Sequence, residues 1–357
     1  MICNREDAKS GERKSFQYRT FPYCCDALDY RTPLFRMFRF GKVCRSISDK
    51  HAYFVLILFG MWRRMGTDCF VLITGYFMCK TKVRWEKFWK LVFAYEFYKV
   101  VEYSIFVLRG TEKLSREEII KIILPISDIG SNFVDCYLIF FLFIPFLNVL
   151  VQNMTEKEHR HLAFLCIGAY SVLAALSEKY INVTLNMTQW FICLYIVASY
   201  IRLYPRLWFD TPKVWWLASA STILLTMADA AYRQLHGLRY GWYVNDCNKP
   251  LAFLSALCLF MLFRNLKVPQ SKIINTLATS CFGVLIIHSG TSAMRNLLWV
   301  DAAHNVEYYF SPYLPIHAIV WTCLVYLLCI PIDMLYKRIV EEPVFQLWKH
   351  RFGGTTE

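Results

Sequence analysis

Long apolar segments recur from residue 52 to residue 336, and short polar loops separate them. Most approach the roughly 20 residues that a helix needs to cross a bilayer. The chain of 357 residues is 56% hydrophobic and only 19% charged, which is typical of a polytopic membrane protein. The predicted spans are 52–79, 88–108, 132–151, 161–176, 186–203, 214–232, 250–264, 273–297 and 314–336. We therefore predict an all-α fold, a transmembrane helix bundle with nine spans.

Basic residues gather at the ends of the apolar segments. The densest group, which we call the basic collar, closes the first segment and comprises Lys80, Lys82, Arg84, Lys87 and Lys90. The loops predicted to lie on the same side of the membrane as the collar hold 17 Lys and Arg residues, with the collar included. The loops on the other side hold 9. Because cytoplasmic loops are the richer in Lys and Arg, the collar and the C-terminus are predicted to be cytoplasmic. This topology accounts for the net charge of +13 without nucleic-acid binding.

Residues 1–51 differ from the rest of the chain. They are polar, contain many Arg and Lys residues and include no segment long enough to span a membrane. With nine spans they would lie outside, against the charge rule, and a tenth span ahead of residue 52 would remove the conflict. The predicted division is therefore an atypical N-terminal segment (1–51), a transmembrane domain (52–340) and a cytoplasmic tail (341–357).

The 14 cysteines form no CxxC pair and no cluster with histidines at metal-ligand spacing. Many lie inside apolar segments, where a thiol acts as a small hydrophobic group. We expect neither a disulfide framework nor a bound metal.

Gly75 and Tyr76 interrupt the first apolar segment just ahead of the collar. A glycine there permits close approach of another backbone or of a flat ligand, so both residues are candidate substrate contacts. The alternative is a glycine that packs helices together beside an interfacial tyrosine.

His288 stands in CFGVLIIHSG (281–290), far from any charge until Arg295. An ionisable group in such a segment indicates a functional site, and a neutral imidazole can take a proton from a hydroxyl. The alternative is an interfacial histidine bonded to a carbonyl. Arg295 is two helical turns further on and would share a face with His288, as a substrate anchor or as a side chain that extends to the interface.

Other polar residues have simpler interpretations. Arg202 either binds phosphate or marks the cytoplasmic end of a helix, and topology favours the second. Asp333 is spaced to pair with Lys337 one turn later. His159 and His161 lie in a predicted polar loop, where solvation is favoured over metal binding.

Four stretches also follow a recognisable order. They are CFVLITGYFM (69–78), FVDCYLIFFLFIPFLNVLV (133–151), QWFICLYIVASYIRLY (189–204) and INTLATSCFGVLIIHSGTSAMRNLLW (274–299). Through them the chain resembles the acyltransferase 3 family, the membrane-embedded O-acyltransferases that modify bacterial surface sugars. Thr74 replaces the usual serine of the first stretch, and Asn132 stands where a tryptophan is common.

The resemblance implies transfer of an acyl group, most simply acetyl, from acyl-CoA to a hydroxyl of a cell-surface glycan or lipid-linked sugar at the bacterial inner membrane. His288 matches a recurrent histidine of the family, though not the one usually assigned as the base, and it is the candidate catalytic residue among those present. The candidate substrate-binding residues are Gly75, Tyr76, Arg202 and Arg295, and the candidate cofactor-binding residues are Lys80, Lys82 and Arg84.

The family also implies a first span with an arginine motif and a histidine usually assigned as the base. No such span is visible here, so we interpret residues 1–51 as a frameshifted or wrongly started reading. A catalytically inactive family relative is then one alternative to the enzyme. The alternative from another class is a transporter or flippase for a lipid-linked sugar.

Overall fold

The computed structural model describes residues 50–113, 115–127, 132–176, 186–238, 243–244, 246–267, 271–305, 307–308 and 311–352, and these residues form helices and turns without strands. The α-helices are α1 (Lys50–Met78), α2 (Trp85–Leu108), α3 (Arg116–Ile123), α4 (Phe133–Asn153), α5 (Glu156–Ile167), α6 (Met187–Leu203), α7 (Pro212–Leu235), α8 (Pro250–Asn265), α9 (Lys272–Ser289), α10 (Ser292–Asn296), α11 (Leu314–Tyr336) and α12 (Glu342–Phe352). Short π-helical turns extend α5, α10 and α11.

Side chains in the loops fix where several helices begin. Thr155 and Glu158 form a reciprocal capping box at the start of α5, in which the Glu158 amide donates to Thr155 Oγ1 at 3.3 Å. Asn132 and Asn186 accept hydrogen bonds from amides in the first turns of α4 and α6. These caps satisfy amide groups that have no partner within their own helix.

The centre of the bundle is α6, which packs against α1, α4 and α5. Trp190, Phe191 and Tyr195 of this helix are almost completely buried. Trp190 donates a hydrogen bond from Nε1 to Oδ1 of the buried Asp68 at 2.9 Å, so the core contains a polar contact between α6 and α1. A second group of helices, α2, α9 and α11, packs together beside this centre.

Helices occupy all nine predicted segments, but the predicted number of membrane crossings is not confirmed. Within the described part of the chain, three helical stretches are long and apolar enough to cross: Phe133–Asn153, Pro212–Leu235 and Leu314–Arg351. A fourth is added if the bent pair Ile274–Ser289 and Ser292–Ala302 forms one span. Of the remaining helices, α6 and α8 are apolar but shorter, while α2 carries Glu and Lys residues along its length.

The C-terminal helix and the basic collar lie at the same end of the molecule. Lys349 of α12 pairs with Glu86 of α2 at 2.9 Å, and Lys90 pairs with Glu341 at 3.1 Å. The Lys349 ammonium holds the pKa of the Glu86 carboxyl below its usual value. Residues after 341 thus continue as a helix that docks on α2, within the segment predicted to be a cytoplasmic tail.

Candidate active site

His288 is buried near the end of α9, with 4% of its surface exposed. Its Nδ1 lies 2.6 Å from the carbonyl oxygen of Val284, one turn earlier. Because a carbonyl oxygen only accepts hydrogen bonds, this contact places the ring proton of neutral His288 on Nδ1. Nε2 then carries the lone pair, which is the form that a general base requires. The carbonyl contact expected of a structural histidine is therefore also compatible with a catalytic one.

The relation predicted between His288 and Arg295 is wrong in its geometry. α9 ends at Ser289, and the following helical segment turns by 89°, so the two residues do not share one continuous helix face. Arg295 instead reaches back across the break. Its Nη1 donates to the Ser289 carbonyl at 2.5 Å and its Nη2 donates to Ser292 Oγ at 2.8 Å. These two bonds give Arg295 a structural role at the break.

Glu102 of α2 is a residue at this break that the sequence interpretation missed. It is 2% exposed, and its Oε2 accepts a hydrogen bond from Thr291 Oγ1 at 2.9 Å. Oε1 is buried without a hydrogen-bond partner among the described residues. A Cβ at Gly290 would lie 3.0 Å from one carboxylate oxygen and 3.1 Å from the other, so glycine gives the carboxylate room. A glutamate inside an apolar segment was the available sequence signal.

Gly75 packs against α6. A Cβ at this position would lie 3.0 Å from both the Ala198 Cβ and the Tyr195 Cα. The structure therefore shows the close helix approach that was one of the two interpretations of this glycine. A substrate contact at Gly75 stays a prediction.

Tyr76 joins two arginines at the collar end of the bundle. Its hydroxyl oxygen accepts hydrogen bonds from Arg202 Nη1 at 3.2 Å and from Arg264 Nε at 3.4 Å. The guanidinium of Arg202 also lies over the Tyr76 ring, 4.8 Å from its centre. Arg264 continues to Asp210, whose Oδ1 lies 2.7 Å from Nη2. Tyr76 and Arg202, singled out separately in the sequence, thus share one site with Arg264, which was not.

Lys80, Lys82 and Arg84 follow in the exposed turn between α1 and α2. Arg84 is 3.8 Å from Glu86, a loose ion pair. Within the described part of the chain, Lys80 and Lys82 have no ion-pair partner. Both side chains are exposed, and Lys80 follows Tyr76 by four residues.

The predicted site residues form two groups rather than one. Lys337 bonds both Asp333, at 2.6 Å, and the Thr279 carbonyl, and this contact aligns the first half of α9 with the collar end of α11. His288 is nine residues beyond Thr279, or about 13 Å further along a helix axis. His288 and Arg295 accordingly lie away from the group of Tyr76, Arg202 and the collar.

One histidine prediction fails in the structure. His159 lies in α5 rather than in a loop and is fully buried against α6, where its Nε2 lies 2.9 Å from the Ile196 carbonyl oxygen. Burial lowers the pKa of His159. His161, by contrast, is exposed as predicted.

Among the described residues, no three His, Cys, Asp or Glu side chains converge as a metal site would require.

The acyltransferase 3 family model, described as an acyltransferase domain, matches residues 37–336. This chain belongs to the acyltransferase 3 family. Searches of curated proteins and of solved structures found no match. The family match begins ahead of residue 52, within the segment that the sequence set apart. Residues 1–49 are outside the described residues, so the proposed frameshift stays a prediction.

Proposed function

We propose that the protein is a membrane O-acyltransferase that moves an acetyl group from acetyl-CoA to a hydroxyl of a cell-surface or lipid-linked sugar. Membership of the family supports acyl transfer in a membrane. The observation that supports His288 as the general base is the contact of its Nδ1 with the Val284 carbonyl oxygen. This contact leaves Nε2 as the basic atom.

In this proposal His288 Nε2 accepts the proton of the sugar hydroxyl while the hydroxyl oxygen attacks the thioester carbonyl carbon. The resulting tetrahedral intermediate collapses with cleavage of the carbon–sulfur bond. The departing CoA sulfur takes the proton from the imidazolium, which restores neutral His288. Such general acid–base catalysis contributes about 100-fold to 10,000-fold in rate.

The donor is proposed to approach from the collar end, in the cytoplasm of a bacterial cell. The exposed ammonium groups of Lys80 and Lys82, with the Arg84 guanidinium, supply positive charge for its phosphates. The acceptor sugar is proposed to reach the other group of residues, near His288. The bilayer and the glycan are then the partners of the protein.

The test is transfer of labelled acetyl from acetyl-CoA to membrane glycans by the full chain. We expect His288→Ala to lower the transfer rate by about 100-fold or more. His161→Ala, which changes an exposed histidine, is the matched control and should retain wild-type transfer. Full activity of correctly folded His288→Ala would remove His288 from the mechanism.

Two alternatives make different predictions. A transporter would be expected to contain broken helices in corresponding pairs, whereas one bent pair is found among the described residues. An inactive family member would bind acetyl-CoA without turnover. Measuring both binding and transfer distinguishes these cases from the proposed enzyme.

A further inference from the structure

We infer that Arg202 and Arg264, held on the hydroxyl of Tyr76, form a phosphate-binding site that holds the phosphates of the acyl-CoA donor. The inference rests on the proposed function, and it adds Arg264 to the residues that recognise the donor. Three helices contribute to this site: α1 supplies Tyr76, α6 supplies Arg202 and α8 supplies Arg264.

The two guanidinium groups converge on one hydroxyl oxygen. Arg202 and Arg264 donate to the Tyr76 hydroxyl over 3.2 and 3.4 Å, so their positive charges lie close together. Arg264 is further fixed by the Phe209 carbonyl, at 3.2 Å from Nη1. Fixed planar guanidinium groups present parallel donors that match phosphate oxygens.

Among the described residues, positive charge exceeds negative charge at this site. Asp210, whose side chain is 60% exposed, pairs with Arg264 and offsets one of the two guanidinium charges. No carboxylate of the described residues pairs with Arg202, and Arg202 Nε is buried without a hydrogen-bond partner. Arg202 is half-buried, so its guanidinium is partly removed from water without a carboxylate partner, and the arrangement favours an anion supplied from outside the chain.

The location agrees with a cytoplasmic phosphate ligand. Lys80 begins the exposed turn one helical turn beyond Tyr76, so its ammonium adds to the same positive region. A single basic residue at the end of α6 or α8 is explained by the helix dipole and by topology. Convergence of two such residues on one hydroxyl is explained by neither.

The test compares two donors that differ in their phosphates. Binding of acetyl-CoA and of acetyl-pantetheine, which lacks phosphate, is measured for the purified full chain. We expect Arg202→Gln and Arg264→Lys each to lower the affinity for acetyl-CoA about tenfold and to leave the affinity for acetyl-pantetheine unchanged. Arg206→Gln, at the same end but exposed and paired with Glu156, should change neither affinity.

Other outcomes of these binding measurements would contradict the phosphate site, the enzyme function or the donor assignment. Equal acetyl-CoA affinity in wild type and both variants, or a parallel loss of both ligands, would overturn the site. If the wild type binds no acetyl-CoA but binds pyrophosphate through Arg202 and Arg264, the phosphate site stands and the proposed enzyme function fails. Binding of phosphatidylglycerol in nanodiscs tests whether the phosphate at this site comes from a lipid headgroup instead. Loss of phosphatidylglycerol binding by variants that keep acetyl-CoA would overturn the donor assignment.

Discussion

At the scale of single residues, Gly283 and Asp333 show how closely α9 and α11 approach. A Cβ at Gly283 would lie 1.8 Å from Asp333 Oδ1 and 2.3 Å from its Cγ. Asp333 is 1% exposed and is bonded to Lys337, so its carboxylate has little freedom to move. We expect Gly283→Ala to destabilise the protein by about 1–3 kcal/mol through overpacking. The apparent melting temperature of the detergent-solubilised protein measures this loss.

Gly168 offers a matched control, because a Cβ there would meet no atom within 4 Å. Gly168→Ala should leave the melting temperature unchanged or raise it, since alanine restricts the unfolded chain more than glycine does. An unchanged melting temperature of Gly283→Ala would show that α11 moves away at little cost.

Contacts between residues that are close in the sequence were predictable. The spacing of Asp333 and Lys337 predicted their pairing, which is confirmed at 2.6 Å. Arg264 was not singled out in the sequence, because its position at the end of an apolar segment already explains a basic residue. What distinguishes Arg264 is its contact with Tyr76, which is 188 positions away in the sequence. Only the packing of α1 against α8 brings these two side chains together.

At the scale of elements, Thr291 connects the break after α9 to α2. Its hydroxyl donates a hydrogen bond to Glu102 Oε2 at 2.9 Å. It also accepts a hydrogen bond from the Met294 amide at 3.2 Å, and this second bond caps the start of α10. Thr291→Val removes both bonds and leaves the buried Glu102 carboxyl group without this donor, so we expect a loss of about 1–3 kcal/mol. Hydrogen–deuterium exchange over residues 290–297 should become faster.

Thr291→Ser retains the hydroxyl and should keep the exchange slow. The same Thr291→Val change in a Glu102→Leu background should cost less, because no carboxylate then loses a partner. Equal costs in both backgrounds would show that the link between Thr291 and Glu102 does not stabilise the break.

The break itself was not predictable from apolar periodicity. Residues 273–297 appear as one apolar segment, and a continuous helix would place His288 and Arg295 on one face. The 89° turn instead lies at Gly290 and Thr291, where Glu102 of another helix makes close contact. The nine apolar segments were found because burial is encoded locally, whereas their bends arise from contacts between helices.

At the scale of the whole molecule, the collar and α12 share one end, and charge bias predicts that this end is cytoplasmic. A reporter fused after Glu357 should therefore behave as cytoplasmic: green fluorescent protein should fluoresce, and alkaline phosphatase should be inactive. The same reporters inserted after Gly110, which follows α2 at its far end, should give the opposite pattern. Because α2 is the helix that carries Glu102, its crossing decides whether that carboxyl is buried in the membrane. Cytoplasmic behaviour at both positions would show that α2 does not cross, and the predicted count of nine spans would then be wrong.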